Sequence, residues 1–266
     1  MTVLGGATFL TLVILVFIIV FVFEKGLPVI SFNFLFSNSE DMGRAGGIFP
    51  TLIGSLLLPL LAIIIATPLG ICTSVYLTEY TRESRMTRVI RFGTDCLAGI
   101  PSIIFGLFGF IFFVTTLGMG WSILSGGLTL AFMILPTIIR TSEEAIKAVP
   151  TSYRQVSYSL GATRWQTVKK VILPNALPGI LTGVMLGIGR SIGETAAVIF
   201  TAGSSLRLPG SIFDSTRTMA VHFYILAREG ISSENAYGTA ATLIIAVLLV
   251  NLTAYWLMHL FISKRS

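Results

Sequence analysis

Several stretches of this chain carry no charged side chain over a length that can cross a bilayer. Val3–Phe23 is 21 residues, about 31 Å as a helix, against a hydrocarbon core of about 30 Å. Ile48–Thr78 is uncharged and too long for one straight span, and Pro59 and Pro68 interrupt it, which predicts a kinked or tilted helix. Cys96–Ile139 runs for 44 uncharged residues. It reads as two spans, broken near Gly118-Met119-Gly120-Trp121 and Ser125-Gly126-Gly127, with Trp121 as an interfacial anchor. Inside a bilayer such segments must satisfy their own backbone, so the chain is expected to be all-α and polytopic. Composition agrees: 54% of residues are hydrophobic and 11% charged, where soluble domains carry about 25% charged residues.

The first run is expected to be a span, with a secretory leader the weaker alternative because it lacks a basic start and a small-x-small cleavage site and is too long. The absence of Lys or Arg ahead of it points to a start further upstream. Glu24–Gly47 is a mixed loop, and Arg82, Glu83, Arg85, Arg88 and Arg91 form a basic loop. Leu177–Ala202 is a fifth span and carries charges. Leu206–Asn235 is a second mixed loop with an amphipathic piece at Thr216–Ala227, and Ala236–Ile262 is a sixth span closed by Lys264 and Arg265. With six spans both termini lie on one side. That side collects twelve basic residues against five acidic ones, the other side five against six, so the positive-inside rule makes the first side cytoplasmic. The net charge of +6 is thus accounted for by topology, with no nucleic acid invoked. Cys72 and Cys96 lack metal or disulfide spacing and read as small core residues. His222 and His259 stand alone, which leaves no metal cluster for a membrane enzyme. No clear internal repeat favours an ion-coupled carrier.

The longest polar passage, Glu143–Pro174, reads as two short helices around a glycine. Pro150 suits a first turn. The helix runs to Leu160 and stops at Gly161, which takes the left-handed closing conformation. Thr163 and Gln166 make a capping box for a second helix ended by Pro174. A hairpin pinned between two spans is a docking surface, the alternative being an amphipathic loop lying on membrane lipid. Its spacing, Gly161, nine residues, then Val171-Ile172-Leu173-Pro174, resembles the EAA loop of ABC-importer permeases. Gln155-Val156-Ser157 fills the Glu-Ala-Ala slot. The resemblance implies docking to a cytoplasmic ATPase through Arg154, Gln155, Ser157, Leu160, Gly161, Ala162, Leu173 and Pro174. No GxxxxGK[ST] motif is present, so nucleotide is not expected on this chain through that motif.

The fifth span holds Gly187-Ile188-Gly189-Arg190-Ser191-Ile192-Gly193-Glu194. Charges at that depth need a polar interior or each other. The i, i+4 spacing predicts a pair on one helix face. It reads as a structural bridge, as a station on a solute path where the planar fork of Arg190 suits an oxyanion, or as both. Gly187, Gly189 and Gly193 would admit a neighbouring helix. Pro101 marks a span start with Ser102 as its cap, the alternative being that Ser102 lines the path.

The strings GIPSIIFGLFGF (99–110), ILPTIIRTSEEAIKAVP (134–150) and LGATRWQTVKKVILPNALPGILTGVMLGIGRSIGETAAVIFTAG (160–203) resemble the PstA family, permease subunits of phosphate ABC importers. The resemblance covers Gly46 to the C-terminus. It implies a six-helix type I importer permease, with a first span and external loop at 1–45 and the importer transmembrane domain at 46–266, which carries the docking loop at 143–174. It further implies a bacterial inner-membrane location and a sister permease, PstC. A cytoplasmic ATPase, PstB, would hold ATP and Mg, with no cofactor on this chain, and a phosphate-binding protein, PstS, would lie outside. Sulfate or molybdate remains open on the Arg190 argument alone.

Overall fold

The computed structural model describes residues 2–81 and 84–263. Arg82, Glu83, Lys264 and Arg265 of the charge count, and the side chain of His259, lie outside the described residues. The first helix, α1 (Thr2–Gly26), leads through the short α2 (Phe32–Phe36) and a hairpin of β1 (Ser39–Glu40) and β2 (Ala45–Gly46). Next come α3 (Phe49–Val75), extended by a π turn at Tyr76–Tyr80, α4 (Arg85–Ala98) and α5 (Ser102–Gly109), extended by a π turn at Phe110–Thr116. The chain continues through α6 (Ile123–Ala148), α7 (Thr151–Ser159), α8 (Arg164–Thr167), α9 (Leu173–Ile192), α10 (Ala196–Thr201), α11 (Met219–Arg228) and α12 (Ser233–Ser263).

Among the described residues five helical segments are long and apolar enough to cross a membrane, and six if the bent α4–α5 pair counts as one span. The span at 85–91 is not a loop. Ser84 accepts from the Thr87 amide and Thr87 Oγ1 accepts from the Ser84 amide, a capping box that starts α4 there. α4 then meets α5 at a bend of 102° across Gly99-Ile100-Pro101. The break at 117–122 falls where the glycines predicted it, but Ser125–Gly127 lie inside α6. There a Cβ on Gly126 would press on Leu58 and Ala202, so these glycines admit neighbours and do not end a helix.

Helix α6 is the axis of the bundle, with two thirds of its most apolar window buried. Leu130, Met133, Ile134 and Ile138 are fully or almost fully enclosed by Leu58, Ala62 and Ala66 of α3, Phe105 of α5, and Ala197 and Val198 of α10. Lipid tails are as apolar as leucine, so helices associate here through close packing of small residues. Helices α6 and α9 meet closely at two glycines: a Cβ on Gly179 would press on Ala145, and one on Gly183 would overlap Thr141 Oγ1. These two glycines, and not Gly189 or Gly193, which face open or nearly open space, let the helices meet; Gly187 makes ordinary contacts with Ile134 and Ile138. Helix α1, by contrast, is bare over its most apolar window, and its last residue, Gly26, abuts Tyr237 and Ala241 of α12. Cys72 and Cys96 are both exposed on helix surfaces, which corrects their reading as core residues. Polarity gave no hint of this, because a lipid-facing surface is as apolar as a core.

At the end of the bundle away from the hairpin, α11 buries His222 beside Arg217. Arg217 donates through Nε to Ser204 O at 2.9 Å, and Nη1 lies 3.3 Å from His222 Nδ1. A guanidinium only donates, so Nδ1 accepts and the proton of the neutral ring sits on Nε2. Burial first, and the Arg217 charge second, lower the His222 pKa to about 4.

Two outcomes follow from this packing. Gly183→Ala should destabilise the purified chain by about 1–3 kcal/mol, read as a lower thermal midpoint. Thr141→Ala should recover part of the loss, because the hydroxyl is the nearest atom. For His222, the folded pKa lies below the ordinary 6.5. Its neutral form is therefore favoured by folding, and stability is full above pH 6.5 and falls as pH drops towards 4, by up to about 3 kcal/mol. A His222→Gln variant should lose that part of the acid dependence in unfolding measured across pH 4–7.

Candidate functional site

The hairpin forms as the sequence predicts at its turn. Helix α7 starts at Thr151 behind Pro150 and closes with Gly161 at φ +79°, where the Gly161 amide donates to Tyr158 O and the Ala162 amide to Ser157 O. This pair of bonds is a Schellman closure, and only glycine enters it without steric penalty. Thr163 Oγ1 accepts from the Gln166 amide while Gln166 Oε1 accepts from the Thr163 amide, giving the expected capping box. The two arms are joined underneath by Ser157 Oγ and Thr167 Oγ1 at 2.8 Å, both buried.

Pro174 does not end the second arm. The chain runs as one helical rod from Arg164 to Ile192, about 43 Å at 1.5 Å per residue. A π turn at Val168–Ile172 precedes the proline. A proline removes one amide and its ring clashes with the carbonyl four residues back; the wider turn takes up that mismatch locally. The hairpin is thus continuous with the following span.

Arg154 is not a free docking residue. Its Nη2 sits 2.7 Å from Glu79 Oε1 and 2.9 Å from Ile146 O, and Nη1 donates to Val149 O at 2.7 Å. One side chain therefore ties α7 to the end of α3 and the end of α6, with Glu79 8% exposed. Below it Val75, Ile146, Val149, Val168 and Ile172 form a separate apolar cluster. Two further ion pairs hold α4 to α6: Arg91 with Glu143 at 2.8 Å and Arg140 with Asp95 at 2.9 Å.

Of the predicted docking residues, Gln155, Leu160 and Gly161 are exposed, Ala162, Leu173 and Pro174 are half-buried, and Ser157 is buried. The outer face of the hairpin is instead apolar. Tyr153, Val156, Leu160 and Trp165 are exposed by 48%, 60%, 83% and 59% on a polar loop, uncovered among the described residues. Tyr153, Val156 and Leu160 follow the i, i+3, i+7 spacing of one helix face, a signal present in the sequence and not used there.

At the far end of the rod the predicted Arg190–Glu194 pair is absent. Helix α9 stops at Ile192, Gly193 takes φ −84° and ψ 0°, and the backbone leaves the helix through Thr195. The i, i+4 geometry needs an unbroken helix, and this one ends between the two residues. Among the described residues no ion pair joins them; Glu194 Oε1 instead accepts from the Ala197 amide at 3.2 Å and caps α10. Both side chains are half-buried. Arg190 lies in the last turn of α9, where a cation complements the helix dipole. Thr195 and Ala196, at the break, line a cavity of about 1000 Å³ together with Phe110, Trp121, Ser204 and Arg228. Unpaired backbone at membrane depth is tolerated where it lines such a space. Ser102 is the first residue of α5, half-buried, and makes no cap hydrogen bond. Pro101 does mark the helix start, while the capping role read for Ser102 does not hold.

A family model described as "Binding-protein-dependent transport system inner membrane component" matches residues 66–266. The "Probable ABC transporter permease protein YqgI" of Bacillus subtilis is 34% identical over 260 residues, 92% of this chain and 88% of that protein. The "Phosphate transport system permease protein PstA 1" of Mycobacterium tuberculosis is 38% identical over 215 residues, 79% of this chain and 70% of that protein. Among solved structures, a bacterial alginate ABC transporter matches with a TM-score of 0.69 at 15% identity, over 95% of this chain and 91% of that one. The inward-facing MetNI methionine ABC transporter matches with a TM-score of 0.63 at 21% identity, over 81% and 94%. At these identities the two structures bear on the fold alone.

The Arg154 contacts predict a direction. Arg154→Ala leaves Glu79 buried without its partner and should destabilise the hairpin by about 3–5 kcal/mol. Arg154→Met with Glu79→Gln removes both charges and should cost much less. Hydrogen exchange over residues 150–172, compared between the two variants, reads the difference.

Proposed function

Because the chain belongs to the family of binding-protein-dependent transport system inner membrane components, we propose that it is a membrane permease subunit of an ATP-driven phosphate importer. Hydrolysis of ATP takes place on a separate ATPase subunit, and an extracytoplasmic binding protein delivers the solute. The observation that carries phosphate as the solute is the 38% identity to a phosphate permease over 215 residues. In this reading the sister permease is PstC, the ATPase PstB and the binding protein PstS. The hairpin end is cytoplasmic, which agrees with the twelve basic residues gathered on that side of the sequence. ATP and Mg belong to the ATPase, and this chain holds no cofactor.

The exposed apolar face of Tyr153, Val156, Leu160 and Trp165 is what an ATPase groove would cover. The Arg164–Ile192 rod then passes a displacement of the hairpin to the break at 193–195. Arg190, with its planar fork near that break, serves as a station for the oxyanion. Glu194, by capping α10, holds the break in shape, and Ser102 stands at the entrance of α5. Sulfate and molybdate share the oxyanion chemistry that Arg190 would recognise. The relatives named for phosphate decide for phosphate.

Uptake of labelled phosphate in cells carrying the complete importer tests this. Since Glu194 does not depend on Arg190 for a partner, Arg190→Gln should leave the amount of assembled complex unchanged and abolish uptake. Arg190→Lys should impair uptake, because it keeps the charge and loses the fork. Uptake near wild type in Arg190→Gln would remove the residue from the path, and stronger competition by molybdate or sulfate than by phosphate would reassign the solute. Gly161→Val strains the left-handed turn by about 1 kcal/mol or more and should insert normally yet uncouple transport from ATP hydrolysis.

A further inference from the structure

Helix α4 has two faces that the transport reading leaves unused. One is pinned to the bundle, with Thr87 buried, Arg91 paired to Glu143 and Asp95 to Arg140. The opposite face is bare and apolar: Met86, Val89 and Phe92 are exposed by 73%, 69% and 70%, and Cys96 and Leu97 continue the stripe. Arg85 and Arg88 are exposed at its N-terminal end and flank.

The position of this helix decides what covers the stripe. Three residues after Ala98 the chain enters α5, an apolar segment of the membrane bundle, at 102° to α4. If α5 runs across the bilayer, α4 lies along its surface. It does so at the hairpin end, because Glu79, just ahead of α4, is bonded to Arg154 of the hairpin. A helix in that plane with an apolar face outward and basic residues beside it has the make-up of an interfacial helix, its stripe sunk at the level of the headgroups.

We propose that α4 is a membrane-surface helix whose face of Met86, Val89, Phe92 and Leu97 inserts into the bilayer interface, and whose Arg85 and Arg88 bind anionic phospholipid headgroups. Charge complementarity and direct continuity with the spanning α5 select lipid as the occupant. Arg85 at the end of the stripe reaches the headgroups by extending its stem over the apolar surface. The ion pairs of Arg91 with Glu143 and of Asp95 with Arg140 fix the rotation of α4 so that the stripe points away from the bundle. The proposal is independent of which solute is carried.

The test uses the full chain reconstituted into lipid nanodiscs. Cys96, natural and on the stripe, is labelled with an environment-sensitive fluorophore in a Cys72→Ser background. Val89→Cys in a Cys72→Ser, Cys96→Ser background gives a second site, and both native cysteines are exposed, so neither replacement disturbs the core. Quenching is read with spin-labelled phosphatidylcholine, spin-labelled phosphatidylglycerol and aqueous iodide. We expect both labels to be quenched by lipid and shielded from iodide, with the anionic lipid the better quencher at equal mole fraction. Arg85→Gln with Arg88→Gln should remove that preference, about fivefold of local enrichment for each arginine, and leave quenching by phosphatidylcholine in place. Quenching by iodide at both sites would overturn the proposal by showing a solvated face. Shielding from iodide and from both lipids would overturn it in favour of a protein cover, and lipid quenching without an anionic preference would overturn the role of the arginines.

Discussion

No water reaches a bare backbone N–H or C=O in the middle of a bilayer, and this one constraint orders most of the structure. It makes every apolar run helical. It also governs how the helices are interrupted. Pro174 costs the rod one amide, and a π turn immediately ahead of it absorbs the misfit, so the helix continues. The turn at 193–195 does leave the helix, and there Glu194 takes up the Ala197 amide while the backbone runs beside a cavity of about 1000 Å³.

The same scarcity of water shapes the packing. Without a hydrophobic drive between helices, contact distance matters most, and the α6–α9 seam is set by Gly179 and Gly183 against Ala145 and Thr141. At the hairpin end, where the charged side chains gather, the means of attachment changes. Arg154, Arg91 and Arg140 each bridge different elements through carboxylates and carbonyls. Of these the Arg154–Glu79 pair is the most enclosed, so losing one partner matters more there than at the exposed Arg140–Asp95 pair.

The rod from Arg164 to Ile192 connects these two regimes. Its hairpin end carries an apolar face open to a partner, and its other end stops at the half-buried Arg190. The rod thus holds the candidate docking surface and the candidate solute station in one element.

Segment length, hydropathy and local capping were enough to determine the helical class, the presence of the apolar helices and the hairpin turn, while the fifth span, read as Leu177–Ala202, runs Arg164–Ile192 and breaks before α10. Gly161 and the Thr163–Gln166 box sit where the spacing put them, because a cap is decided by residues three or four apart. The sequence also carried the start of α4 in Ser84 and Thr87, which the density of arginines around them masked. What it could not decide were matters settled by distant neighbours. Arg154 and Glu79 are 75 residues apart, and nothing local marks them as partners. Arg190 and Glu194 have the spacing of a helical pair, yet α9 ends at Ile192 between them and Glu194 accepts from the Ala197 amide instead. Cys72 and Cys96 look like core residues in the sequence and are exposed in the fold. In a membrane protein apolarity says only that a residue avoids water, and tertiary structure alone decides whether it meets lipid or protein.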